Sequence, residues 1–482
     1  MTMNSEASLF YDLKILLPVI MLSVGAIVAL ISESFSSHEA RHRTLPWINI
    51  FFLAFAAYTV KKISGDFSDP WNLFSINSVK TTFIYGIILC ATIGTGALKN
   101  TLKSRNTDCG EAYSLLMLSA AGIMLMVLSQ DFMPLFLGME LASFPIYALV
   151  AMNRHSHESN EAAFKYFISG AAFSAVFLYG MAMFYGATGS TLISSDVLAG
   201  REVFYQIAIF LLSFGLLFKV GAFPLHFWVA DVYTGALAAI TGYMAAVVKI
   251  GAFLALGSVW LGLYSSSASI VIAREAILFL CLGVASVAIG AITGLAQVSV
   301  KRILAFSAVA NAGFILLGFC YPYFADLPEL DLSSAYYFLL TYAIGSIGAL
   351  AGISAFLKTD YDHLDDLRSA ARKKPYLGVC VSICLASLAG LPVAAGFLAK
   401  FRVFASLVSA SFETPMVWSI AIVAFVLAII SAAYYIRVIY YLWSYSHYVP
   451  SQRRYGKISS LLNVSVGMAA VTLLFLSVWM PM

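Results

Sequence analysis

Apolar stretches of about 20 residues, separated by short polar segments, recur from one end of the chain to the other, and a helix rising 1.5 Å per residue needs that length to cross about 30 Å of hydrocarbon. The pattern predicts fourteen membrane-spanning helices over 13–33, 46–64, 79–98, 112–130, 131–152, 162–188, 204–226, 235–260, 272–297, 303–321, 334–357, 376–409, 415–443 and 459–481. No polar linker divides them, so the expected fold is all-α, a single polytopic helical membrane domain over 1–482. The polar stretch before the first span lacks a basic region and a small-residue cleavage site, so that span is expected to stay in the mature chain.

Composition agrees with this pattern. Of 482 residues, 61% are hydrophobic and 11% charged, against about 25% charged in a soluble domain. That excludes a water-soluble or disordered chain, and six scattered cysteines exclude a disulfide scaffold. The net charge of +4 suggests no nucleic-acid partner, because the basic residues lie in short loops. Seventeen of the 28 Lys and Arg, including Lys301, Arg302, Lys358, Arg453, Arg454 and Lys457, follow odd-numbered spans. Six, Lys14, Lys61, Lys62, Lys80, Arg201 and Arg274, lie on the other side. The positive-inside rule then predicts both termini facing out.

The five remaining basic residues, Lys219, Lys249, Lys400, Arg402 and Arg437, fall inside or at the edges of spans. Glu140 lies mid-span in Phe136-Leu-Gly-Met-Glu-Leu-Ala-Ser-Phe-Pro145. A charge at the bilayer centre costs about 2.5 to 3.5 kcal/mol, so such residues pair or face water. They either glue helices together or carry protons, since burial makes a lysine's charge easy to switch. Pro224 follows Lys219, and Gly390, Pro392 and Gly396 precede Lys400, so two spans are expected to break beside a lysine and open cavities there. His226, beside the first break, either relays a proton or satisfies freed backbone. At an offset of 172, Ala163, Ser174, Leu178 and Gly180 are echoed by Ala335, Ser346, Leu350 and Gly352. That offset holds five helices, an odd number, so a second copy would be inverted.

Other signals carry less. His38-Glu-Ala-Arg-His42 fits the zinc-protease pattern, but it is expected in a short basic loop ended by Pro46 rather than on a long helix. His155-Ser-His-Glu158 and Asp360-Tyr-Asp-His-Leu-Asp-Asp366 read as solvated loop clusters, and Gly94-Thr-Gly96 sits in a span and follows no strand. With no phosphate-binding loop in the sequence, the energy for pumping is expected to come from a partner.

At Phe136–Pro145, Phe218–Tyr233, Gln297–Gly318 and Ser387–Phe401 the chain resembles the antiporter-like membrane subunits of respiratory complex I, the proton-pumping NADH:quinone oxidoreductase. Leu-Gly-Met-Glu-Leu, Lys-x4-Pro-Leu-His-Phe-Trp and Gly-Phe-Leu-Ala-Lys-Phe carry the likeness. It is nearest the N-type branch: the M-type carries glutamate where Lys400 stands, and the L-type has a C-terminal lateral helix. The resemblance implies two inverted five-helix repeats, about 112–262 and 272–443, with two broken helices. It also implies roles: Glu140 as the carboxylate partner, Lys219 and Lys400 as the lysines of the two broken helices, Lys249 as their connection, and Lys165, in Glu161-Ala-Ala-Phe-Lys-Tyr166, as a further family lysine. It implies no cofactor on this chain, with NADH, FMN, iron–sulfur clusters and quinone in partner subunits. The neighbouring antiporter-like and small membrane subunits would be its partners, in a bacterial inner membrane with both termini periplasmic. Subunits of multi-subunit sodium/proton antiporters share these motifs and are the alternative. The family's usual Pro-Asp-Val-Tyr-x-Gly-Ala-Pro-x-Pro reads Ala230-Asp-Val-Tyr-Thr-Gly-Ala-Leu-Ala-Ala239 here, and Val393 replaces a frequent proline.

Overall fold

The computed structural model describes residues 5–63, 65, 67–69, 71–105, 109–265, 269–324, 331–357, 362–392, 394–410, 415–445 and 458–478. Lys358, Asp360, Tyr361, Val393, Arg453, Arg454 and Lys457 lie outside the described residues. Helices α1 (Ser5–Phe35) and α2 (His38–Ile63) are followed by a two-stranded antiparallel ribbon, β1 (Phe67–Ser68) and β2 (Ser75–Ile76), and then by α3 (Ser78–Arg105). Next come α4 (Glu111–Leu128), α5 (Phe132–Val150), α6 (His157–Thr188), α7 (Glu202–Val220), α8 (Val229–Gly235) and α9 (Ala238–Tyr243). A π-helical turn, Met244–Val248, joins α9 to α10 (Lys249–Ser265). The chain continues through α11 (Ser269–Ala296), α12 (Val300–Phe324), α13 (Ser333–Ser354), a 3-10 turn (Leu364–Leu367), α14 (Ala370–Lys373), α15 (Pro375–Ala389), α16 (Ala395–Ala410), α17 (Pro415–Trp443) and α18 (Ser460–Val478).

Thirteen helical stretches among the described residues are long and apolar enough to cross a membrane. The predicted span over 376–409 is the pair α15 and α16, split at Leu391 and Pro392, and the span predicted over 204–226 stops at Val220. Both breaks expected from proline and glycine are therefore present. His38 to His42 differ from expectation: they open α2, whose helix runs through Pro46. Pro46 is the ninth residue of this helix, so it removes one helical hydrogen bond without ending the helix.

Helices α4 and α5 cross with backbones nearly touching. A Cβ on Gly122 would lie 2.4 Å from the Ala142 nitrogen, and one on Gly313 of α12 would lie 2.5 Å from the Gly283 oxygen of α11. Small residues permit such approach where water gives no hydrophobic drive. Large side chains such as Phe51, Phe144, Phe425 and Ile429 stay exposed on the outside, the surface a lipid bilayer covers.

Candidate functional site

The first break sets the position of Lys219. Helix α7 ends at Gly221, whose φ of 71° costs a residue with a Cβ. The Gly221 N–H donates to Leu217 and Phe218, and the Ala222 N–H donates to Leu217, a closure that satisfies carbonyls a helix end otherwise strands. Trp228 Nε1 bonds the Phe218 oxygen at 3.2 Å and its ring stacks on Tyr166 with centroids 4.6 Å apart. The Phe223–Pro224 peptide is cis, and the Phe223 N–H donates to Ser286 Oγ of α11 at 2.8 Å. Lys219 thus lies on the last turn before the break, 3% exposed. Its Nζ donates to Ser143 Oγ at 2.7 Å and to Tyr147 Oη at 3.4 Å, both on α5.

Glu140 is on that same helix, one turn before Ser143, half-buried. Its Oε1 accepts from Ser174 Oγ of α6 at 2.5 Å. It forms no direct ion pair with Lys219, whose ammonium bonds Ser143 and Tyr147 of the same helix.

The second half repeats the construction with different partners. Helix α15 ends at Gly390, φ 79°, whose N–H donates to Ala386 and Ser387 while the Leu391 N–H donates to Ala386. Lys400, 7% exposed on α16, folds back onto this end and donates to the carbonyls of Leu388 at 3.1 Å and Ala389 at 3.0 Å. A cation on the last carbonyls of a helix is favoured by their partial negative charge. The two helices meet so closely that a Cβ on Gly396 would lie 1.8 Å from the Ser387 oxygen.

Lys249, 2% exposed, begins α10 just after the π-helical turn, and its Nζ donates to the Ala308 carbonyl of α12. It also lies 5.3 Å from the ring centre of Tyr342. Tyr342, Asn311, Thr341 and Ser387 line a small cavity with Lys400, and Asn311 Nδ2 bonds Tyr435 Oη at 2.9 Å. Tyr342 and Asn311 are polar residues that sequence reading passes over, since neither is charged. Their helical positions opposite Lys249 and Lys400 become visible only in the packed structure. No carboxylate lies within ion-pair distance of Lys219, Lys249 or Lys400 among the described residues. An unpaired buried ammonium costs several kcal/mol, offset here by neutral acceptors and aromatic faces. Such groups suit the gain and loss of protons.

Lys165 is elsewhere. It lies near the opening of α6, 44% exposed, between Glu161 at 2.8 Å and Asp231 at 2.7 Å, and Asp231 also holds Arg302 at 3.2 Å. These groups line a cavity of about 470 Å³ on the face rich in basic loops. His226 packs on Phe223 with ring centroids 5.7 Å apart, and its buried Nδ1 has no hydrogen-bond partner among the described residues. Arg437 donates to the Leu295 carbonyl in the last turn of α11 and to the Gln297 carbonyl just beyond it, and Arg402 covers the Tyr337 ring at 4.7 Å.

Three further buried charges lie elsewhere: the sequence places Lys80 and Lys301 in loops and raises no signal for Glu275. Lys301 donates to the Thr234 and Ala236 carbonyls at 2.7 and 3.1 Å, capping α8 as Lys400 caps α15. Lys80 is 7% exposed and Glu275 5% exposed. Among the described residues, no group of three His, Cys, Asp or Glu side chains gathers as for a metal.

Residues 129–431 match the family model described as NADH:quinone oxidoreductase/Mrp antiporter, transmembrane. A relative from Trichlorobacter lovleyi, NADH-quinone oxidoreductase subunit N, is 32% identical over 444 residues, covering 90% of this chain and 88% of the relative. A chain of respiratory complex I from Thermus thermophilus superposes with a TM-score of 0.78 at 28% identity, over 95% of this chain and 96% of that one. A chain of the Mrp complex from Dietzia sp. reaches 0.77 at 18% identity, over 96% and 94%, a likeness of fold alone. The chain therefore belongs to the NADH:quinone oxidoreductase/Mrp antiporter transmembrane family, and within it to the NADH-quinone oxidoreductase subunit N proteins.

Proposed function

We propose that this chain is a proton-translocating membrane-arm subunit of NADH:quinone oxidoreductase. The observation that carries the reading is the set of three buried lysines, Lys219, Lys249 and Lys400, held by neutral acceptors at two helix breaks and one π-helical turn. Glu140, tied to Ser174, is the carboxylate whose field acts on Lys219. Protons pass from Lys219 by way of Lys249, Tyr342 and Asn311 toward Lys400. Lys165, with Asp231 and Arg302, forms the entrance on the basic-loop face, and His226 lends a titratable ring at the first break. The matching closures at Gly221 and Gly390 support two repeats over about 112–262 and 272–443.

The chain works in a bacterial inner membrane beside the neighbouring antiporter-like and small membrane subunits, with both termini periplasmic as the loop charges favour. NADH, FMN, iron–sulfur clusters and quinone act in those partner proteins, and quinone reduction there drives the charge changes here. Lys219→Ala should lower protons moved per NADH at equal amounts of assembled complex. Unchanged pumping in Lys219→Ala, and again with Lys249 and Lys400 also neutralised, would leave the chain a passive spacer. Sodium flux without NADH or quinone would instead favour the exchanger reading.

A further inference from the structure

A second polar cavity lies at the opposite end of the bundle from the Lys165, Asp231 and Arg302 cluster. It has a volume of about 260 Å³, walled by the start of α3, the end of α4, the segment after α6, the end of α10 and the start of α13, far above the roughly 10–15 Å³ one water needs. Lys80 is the charged side chain among its lining residues, beside Gln130, Ser258 and Tyr336. Lys80 Nζ donates to Ser75 Oγ at 2.8 Å and to the Leu128 carbonyl at 3.3 Å, and Gln130 Nε2 bonds the same Ser75 Oγ at 2.6 Å. The nearby acids Asp69 and Asp131 are occupied by backbone N–H groups and Thr191. So an ammonium without a carboxylate borders a polar cavity, as Lys400 does in the second half.

Two of the helices that wall the cavity, α10 and α13, also carry Lys249 and Tyr342. Leu254 and Ser258 in its wall follow Lys249 on α10 by five and nine residues, about 7.5 and 13.5 Å of helix rise. Tyr336 precedes Tyr342 by six residues on α13, and Tyr342 faces Lys249.

We infer that Lys80 and this cavity form the outer-face proton port of the first half of the chain, exchanging protons between bulk water and Lys249. This rests on the proposed function above. The test uses the assembled complex in membranes carrying Ser258→Cys, treated at the outer face with a membrane-impermeant cationic thiol reagent. Modification should lower coupled proton translocation about tenfold or more relative to treated wild type, at or below the low end of the 10²–10⁴ contributed by positioned acid–base groups. A thiol that does not react from that face, or one that reacts without loss of translocation, overturns the port. Arginine cannot release its proton. Lys80→Arg and Lys80→Met should therefore both lose translocation while Lys80→His keeps most of it. An active Lys80→Arg beside an inactive Lys80→Met would make Lys80 only a structural donor and overturn the port. Lys219→Ala measured alongside separates the two ideas: if it lowers translocation and the Lys80 and Ser258 experiments do not, the port alone falls.

Discussion

Ser143 gives the sharpest probe of the first half, because it removes a contact of Lys219 without touching either charged group. In Ser143→Ala the ammonium keeps only Tyr147 Oη at 3.4 Å in place of the 2.7 Å bond to Ser143. Leaving a buried donor without its acceptor costs about 1–3 kcal/mol, and at 1.4 kcal/mol per tenfold the placement of Lys219 against α5 falls about 5- to 150-fold in population. If that placement is where Glu140 acts on Lys219, coupled turnover falls within the same span. The hydroxyl also donates to the Met139 carbonyl at 2.5 Å, so Ser143→Thr, which keeps it, should retain most activity. The assay is proton uptake into sealed vesicles per NADH oxidised, at equal content of assembled complex. Wild-type translocation in Ser143→Ala would refute a working role for the α5 contact of Lys219.

Further outcomes follow from other contacts. Glu140→Gln should lower coupled turnover while leaving its bond to Ser174 possible, and wild-type turnover would make the carboxylate's charge dispensable. Lys301→Met strands the Thr234 and Ala236 carbonyls and should destabilise the α8 end by about 1–3 kcal/mol, read as faster proteolysis of the 227–240 connection. Gly390→Ala meets both the left-handed backbone, worth about 1–2 kcal/mol, and Lys400 Cδ at 2.9 Å, so its midpoint of thermal unfolding in detergent should fall more than that of Gly186→Ala, where a Cβ meets nothing within 4 Å. Outside the bundle, Arg368 Nε donates to Asp365 at 2.7 Å and holds that carboxyl below the ordinary aspartate range. A lowered folded-state value contributes stability that is present above the ordinary aspartate range and lost as pH falls from there through the lowered value of the folded state. Asp365→Asn should flatten that acid limb of the unfolding curve, slightly, because the pair is half exposed.

Hydropathy makes the spans legible because twenty apolar residues have few other uses, and a charge inside such a run is conspicuous. Lys219, Lys249, Lys400 and Glu140 are found that way, and Pro224 and Pro392 mark the breaks. Lys80 and Lys301 are missed because each sits at a helix start, where a window of hydropathy cannot distinguish a residue that points to water from one that turns inward. Their burial is decided by distant segments: Leu128 covers Lys80, and Thr234 with Ala236 covers Lys301. Asp231 is visible in Ala230-Asp-Val-Tyr233, but its service to both Lys165 and Arg302 depends on α6, α8 and α12 meeting. Tyr342 and Asn311 carry no charge and so raise no signal at all. The helix through Pro46 is a different kind of miss, in which a local breaker removes one hydrogen bond of a 26-residue helix without ending it.

The grip of Lys400 on the Leu388 and Ala389 carbonyls makes one atom serve two offices. On the function proposed above, its ammonium is both a stored proton and the clasp on the blunt end of α15; once neutral it loses the charge that favours that grip. An electrical event at a single nitrogen is thereby felt as slack in a half-helix, and a push on that half-helix is felt as a change in how firmly the nitrogen holds its proton. On that reading the second break is a transducer that runs in either direction.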